Sequence, residues 1–149
     1  MAYEKVPEGF THTFPASTGL KQYQFVNITG ANNRLINPTT NGEAIGVLIS
    51  SGTTGSTGRA GSTDSGSVQT VQLIGIAKVL AGTTSIDASD MIKSATDGRA
   101  STWDVSDGST DYVVGKALEA VASTSTSAQI ITAIVNGIGF GVYGGVSTA

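Results

Sequence analysis

Apolar residues come along this chain in short runs, each closed by Gly, Ser, Thr, Asp or Asn. The runs are Glu43–Ile49, Val68–Leu80, Ile86–Lys93, Val113–Val121 and Ala128–Val135. Short apolar stretches punctuated by turn formers are the pattern of an all-β scaffold. Upstream of them, Lys21–Ile28 alternates polar and apolar side chains. It predicts a half-buried strand with Tyr23 and Phe25 on one face and Gln22 and Gln24 on the other. Gly30-Ala-Asn-Asn33 supplies residues that tolerate left-handed backbone, so a hairpin into Arg34–Ile36 follows. Gly75, in the middle of Val68–Leu80, predicts a bulge or bend there rather than one uninterrupted strand. Ala81–Thr84 and Asp97-Gly98 read as turns. The second half of Val113–Val121 is rich in Ala, Leu and Glu and would suit a helix, but its Val-Val start and Gly115 favour a strand.

Three segments lack the means to build a core. Residues 1–10 form an arm with Pro7, Gly9 and no periodicity, to be either disordered or pinned by a partner subunit. Residues 50–67 are low-complexity Gly, Ser and Thr, with no residue expected to anchor a core. They are either a flexible surface loop between two strands or an interface loop that orders against a neighbour. Residues 136–149 alternate Gly with Ile138, Phe140, Val142 and Tyr143, side chains that should not stay in water. The organisation expected is an arm over 1–10, a β domain over 11–135 and a docking tail over 136–149. Tyr3, Val6 and Phe10 in the arm and Ile138, Phe140, Val142 and Tyr143 in the tail are the candidate protein-contact residues.

Composition narrows the function. One domain is expected of 149 residues. Charged residues make up 13% of the chain, about half the ~25% of an average soluble domain. So neutral a surface suits a protein largely covered by neighbours. The eight Lys and Arg are scattered singly in a chain of net charge −3, which leaves no cationic cluster to displace counterions from nucleic acid. With no cysteine, disulfides, thiolate metal sites and Cys nucleophiles are excluded. The N-terminus lacks the apolar core of a signal peptide, and no run approaches the ~20 apolar residues of a membrane helix. A soluble chain made in a cytoplasm is expected. Asn27-Ile-Thr29 is a glycosylation sequon without a secretory context.

The motifs that suggest chemistry each have a simpler explanation. Gly139-Phe-Gly-Val-Tyr-Gly144 has the letters of a dinucleotide-binding loop, but only five residues follow it, too few for the helix that meets the pyrophosphate. Asp104, Asp107 and Asp111 are candidate calcium ligands by their carboxylates, but their spacing is not that of an EF-hand, and Asp-Gly belongs to turns. His12 is the sole histidine, and no nucleophile elbow accompanies it. Glu43 and Glu119 are isolated, so no carboxylate pair can be argued. Trp103 is a core plug or a stacking platform for a sugar or a protein. No cofactor or metal is expected, and no catalysis.

An ordered set of short motifs resembles the capsid decoration, or cement, proteins of tailed bacteriophages. It comprises Tyr23-Gln-Phe-Val26, Ile45-Gly-Val47, Ile74-Gly-Ile-Ala-Lys-Val79, Ile86-Asp-Ala-Ser-Asp-Met-Ile92, Asp97-Gly-Arg99 and Gly115-Lys-Ala-Leu-Glu-Ala120. The long Gly/Ser insertion and the apolar tail depart from that pattern. The resemblance implies a single small β-barrel-like, tulip-like or sandwich domain. It also implies a homotrimer seated on the outside of a phage head, with the major capsid protein as partner and shell stabilisation as function. The rival reading is a phage tail or fibre accessory, or a surface-adhesin module that binds carbohydrate or protein.

Overall fold

The computed structural model describes residues 9–30, 32–39, 43–50, 63, 65–104, 112–123 and 129–137. They form nine strands: β1 (Phe10–Pro15), β2 (Phe25–Ile28), β3 (Leu35–Ile36), β4 (Gly46–Leu48), β5 (Val68–Leu80), β6 (Met91–Ser94), β7 (Ala100–Thr102), β8 (Gly115–Ala117) and β9 (Ile130–Asn136). There is no helix among the described residues. The strands make one antiparallel sheet in the order β3-β2-β4-β5-β9-β8-β6-β7, with β1 added beside β5. The fold is thus all-β, a curled sheet forming a half-barrel. The curl brings the two ends of the sheet together. Phe25 N–H donates to Gly98 O (2.7 Å), in the turn between β6 and β7, and Gln24 Nε2 donates to Asp97 O (2.8 Å).

Strand β5 organises everything else. Its first half pairs with β1 and β4, and its second half with β9 from Ile74↔Asn136 to Leu80↔Ile130. The change of partners falls at an irregularity. The β1 register skips Leu73, so that Thr11 faces Gln72 and Phe10 faces Ile74. Gly75 follows at φ 126°, a conformation L side chains rarely adopt. The interruption expected at Gly75 is thus corrected: β5 runs unbroken from Val68 to Leu80, with the register shift against β1 beside Leu73 and the left-handed backbone at Gly75.

Alternation assigns each strand's side chains to one of two faces. On the inner face, Phe25, Val47, Ala77, Val79, Ile92, Ala117, Ile131, Ala133 and Val135 share the main core with Ile86, Val114 and Val121. On the other face, Val26, Leu48 and Val71 join Ala16, Leu20 and Leu35 in a second cluster, with Phe14, Ile45 and Leu73 packed against it. Strands β2 and β4 are buried on both sides, since Phe25 and Val47 point into one cluster and Val26 and Leu48 into the other.

Several sequence expectations are corrected. The strand over Lys21–Ile28 begins only at Phe25, because Tyr23 turns the chain at φ 69°. Gln24, expected to face solvent, is buried, where its Oε1 accepts from Lys21 N–H (2.8 Å) as its amide donates to Asp97. Ile86–Lys93 is not one strand: Ile86 makes an isolated bridge to Val121, a turn spans Asp87–Asp90, and β6 starts at Met91. Strand β1 includes Phe10, a residue assigned to the arm, and β9 runs through Asn136, a residue assigned to the tail. The hairpin into β3 and the Asp97-Gly98 turn are present as expected.

The segment 50–67 does contain an anchor. Thr63 is fully buried. Its hydroxyl accepts from Leu20 N–H (3.1 Å) and donates to Ser17 O (2.5 Å), and its backbone bonds Leu20 O and Gly19 N–H. A hydroxyl serves here because two backbone groups must be satisfied without water. Thr63→Val should therefore destabilise by about 1–3 kcal/mol in urea titrations, the cost of stranding buried polar partners. Excising 54–59 should cost nothing comparable, since shortening a loop changes closure entropy only slowly with length. Equal losses from both would mean that the hydroxyl contributes nothing.

Candidate interaction surface

In the second half of the sheet the interior rows Gly75–Val135–Gly115 and Ala77–Ala133–Ala117 carry mostly small residues, next to the larger pair Val79–Ile131, while Ile76 and Ile134 point outward. A tightly curled sheet leaves little room on its concave side, and a Cβ at Gly115 would strike the Ile134 carbonyl. The outward row reads Ile76↔Ile134↔Lys116↔Met91 across β5, β9, β8 and β6. Ile74, facing Phe10 of β1, extends it at one side, and Leu118 and Ile130 flank it at the other. Phe10 is 65% exposed, Ile76 44%, Met91 43% and Ile134 39%. These exposed apolar side chains lie in register across five strands, interrupted by Lys116 in the row and by Lys78 and Thr132 beside it. The second hydrophobic cluster already covers this same face at the β2–β4 end, so one half of the face is layered and the other is bare.

Lys78 and Lys116 also stand on this face, Lys78 exposed and Lys116 half-buried. Their stems add apolar area beside the isoleucines and their ammonium groups reach water. At the rim, the Glu119 carboxylate accepts from Thr132 N–H (2.9 Å). His12 lies on exposed β1, edge-on to Phe14 at 4.7 Å between ring centres. No group of three or more His, Asp or Glu able to hold a metal occurs among the described residues. Trp103 is half-buried just after β7, its backbone N–H donating to Met91 O (2.8 Å).

Of the seven candidate contact residues, the structure places Phe10, and places it on the apolar face. Tyr3, Val6, Ile138, Phe140, Val142 and Tyr143 lie outside the described residues, as do Asp107, Asp111 and the Gly139–Gly144 motif. Sequence reasoning missed Ile74, Ile76, Met91, Leu118, Ile130 and Ile134. The signal was available: Ile74-Gly-Ile-Ala-Lys78 and Gly115-Lys-Ala-Leu118 alternate large with small, and only the curl tells which set is inside.

No family model matches the chain, and no curated protein does. Among solved structures it is similar to the N base of the head fibre protein gp8.5 of bacteriophage phi29. The TM-score is 0.51 at 16% identity, over 86% of this chain and 94% of that one. At that identity the likeness is one of fold.

Proposed function

We propose that this chain is a structural protein of a phage head, seated on the outside of the assembled shell and stabilising it. The observation that carries the reading is the fold likeness to a phage head fibre base, which takes in nearly all of both chains. The ordered motifs of the cement-protein resemblance point to the same location, and so does a low-charge surface with a large apolar face. The role is contact rather than catalysis. The partners are the major capsid protein and further copies of the chain, in a homotrimer. Binding assembled shells but not free capsid subunits shifts the equilibrium toward the shell, and many copies per shell add avidity. A second reading is favoured by the same likeness: a base from which a longer fibre projects.

The test is location. A tagged copy produced during phage growth should band with heads in a density gradient, and heads lacking it should open at lower temperature. Recovery only in the soluble fraction would overturn the reading. Banding without any change in head stability would support the fibre-base role instead.

A further inference from the structure

We propose that the outer edge of β1 pairs with the β1 of a second copy of this chain, antiparallel and about a two-fold axis at His12. Strand β1 has β5 on one side. On its other side the described residues reach it only beyond Pro15, where Ala16 bridges Leu35 and Ser17 N–H donates to Leu35 O (2.9 Å). That leaves Phe10–Phe14 at the edge, a run without the lysine, carboxylate or proline that commonly protects natural edges. The direction of its backbone groups follows from β5. The Thr70 C=O accepts from Ile49 N–H (3.0 Å) and the Thr70 N–H donates to Ser50 Oγ (2.9 Å), both on the β4 side. Thr13, opposite Thr70, therefore directs its own N–H and C=O away from β5. Thr11, two residues back along the strand, does the same.

The sequence of this edge selects its occupant. Phe10-Thr-His-Thr-Phe14 reads the same in both directions and occurs once in the chain, and an antiparallel strand presents its residues in reverse order. With His12 opposite its own copy, Phe10 meets Phe14 of the second copy and Thr11 meets its Thr13, aromatic and Thr–Thr pairs of the kind that stabilise sheets. Backbone direction agrees. Opposite residues of an antiparallel ladder either both turn their hydrogen-bonding groups toward each other or both turn them away. Thr11 and Thr13 both turn theirs outward, so a hydrogen-bonded pair lies on each side of the axis, and His12 sits on it in a non-hydrogen-bonded pair. A register moved by one residue sets an outward Thr against the inward groups of His12 and makes none of these bonds. A register moved by two sets Phe against His12 and, in one direction, places Pro15, which has no N–H, opposite Thr11. This two-fold contact is isologous and leaves the closure of a trimer to other surfaces.

The chain has no cysteine, so cysteines introduced one at a time report the pairing. The measurement uses the free full chain without heads, and its outcome is separate from that of the location test. His12→Cys should form a disulfide-linked dimer under mild oxidation, because the Cα atoms of a non-hydrogen-bonded pair lie about 4.5 Å apart, within disulfide range. Thr13→Pro removes an outward N–H and leaves the β1–β5 ladder in place, so adding it should slow the cross-link by at least about tenfold. Thr11→Cys and Thr13→Cys, mixed, should cross-link to each other at least about tenfold faster than either does alone, since only the mixed pair stands directly opposite. Should Thr13→Pro lose its β spectrum by circular dichroism, Thr11→Pro takes its place. A His12→Cys chain that cross-links no faster than its proline version overturns the proposal, whether another segment of the chain or another protein covers the edge. So does a mixture that gains nothing over its components, because the two strands then meet in another register.

Discussion

Phe25→Ala should cost about 3–5 kcal/mol of folding free energy, the range for removing a buried ring from a core that cannot collapse around the gap. Phe25 is 1% exposed and packs in the main core. It faces Val47 across the β2–β4 pair, and its backbone N–H reaches Gly98 O. It thus sits where the two ends of the curled sheet meet, with both flanks of the void held by backbone hydrogen bonds. Urea unfolding followed by circular dichroism measures the loss. A change under about 1 kcal/mol, the scale of a surface substitution, would mean that this seam does not hold the barrel.

Gly75→Val should be nearly as damaging, for a reason in the backbone. At φ 126° any side chain is strained, and a Cβ there would come within 2.9 Å of both Gln72 Nε2 and Gly9 Cα. Forced backbone of this kind costs about 1–3 kcal/mol before the clash is counted, so a fall in melting temperature of about 10 °C is expected for a domain of this size. The damage should be uneven. β1 crosses beside Gly75 through Gly9, so amides of Thr11 and Thr13 should exchange faster than those of Ile131 and Ala133. A variant with the wild-type melting temperature would show that β5 does not need its bend.

The sequence was legible wherever local chemistry decides. Turn residues at Asn33 and Asp97-Gly98 mark turns that exist, and the β-type runs mark β4, β5, β8 and β9. It misled wherever a side chain found a distant partner. Gln24 alternates like a surface residue, yet Asp97 O, far along the chain, gives its amide a buried partner. Thr63 sits in a stretch of Gly, Ser and Thr that looks coreless, yet its hydroxyl satisfies two backbone groups in the 17–20 loop. Neither partner can be read from a local window.

What the sequence by itself determined is the all-β class and the turns at Asn33 and Asp97-Gly98. Composition, periodicity and turn chemistry are properties of neighbours along the chain, and they suffice for these. The tertiary structure alone decided which side of each strand is inside. In Ile74-Gly-Ile-Ala-Lys78 the usual expectation buries the isoleucines. The curl of the sheet sets it otherwise: Gly75, Ala77, Gly115, Ala117 and Ala133 face the concave side beside Val79, Ile131 and Val135, and Ile74, Ile76 and Ile134 stand on the outer face.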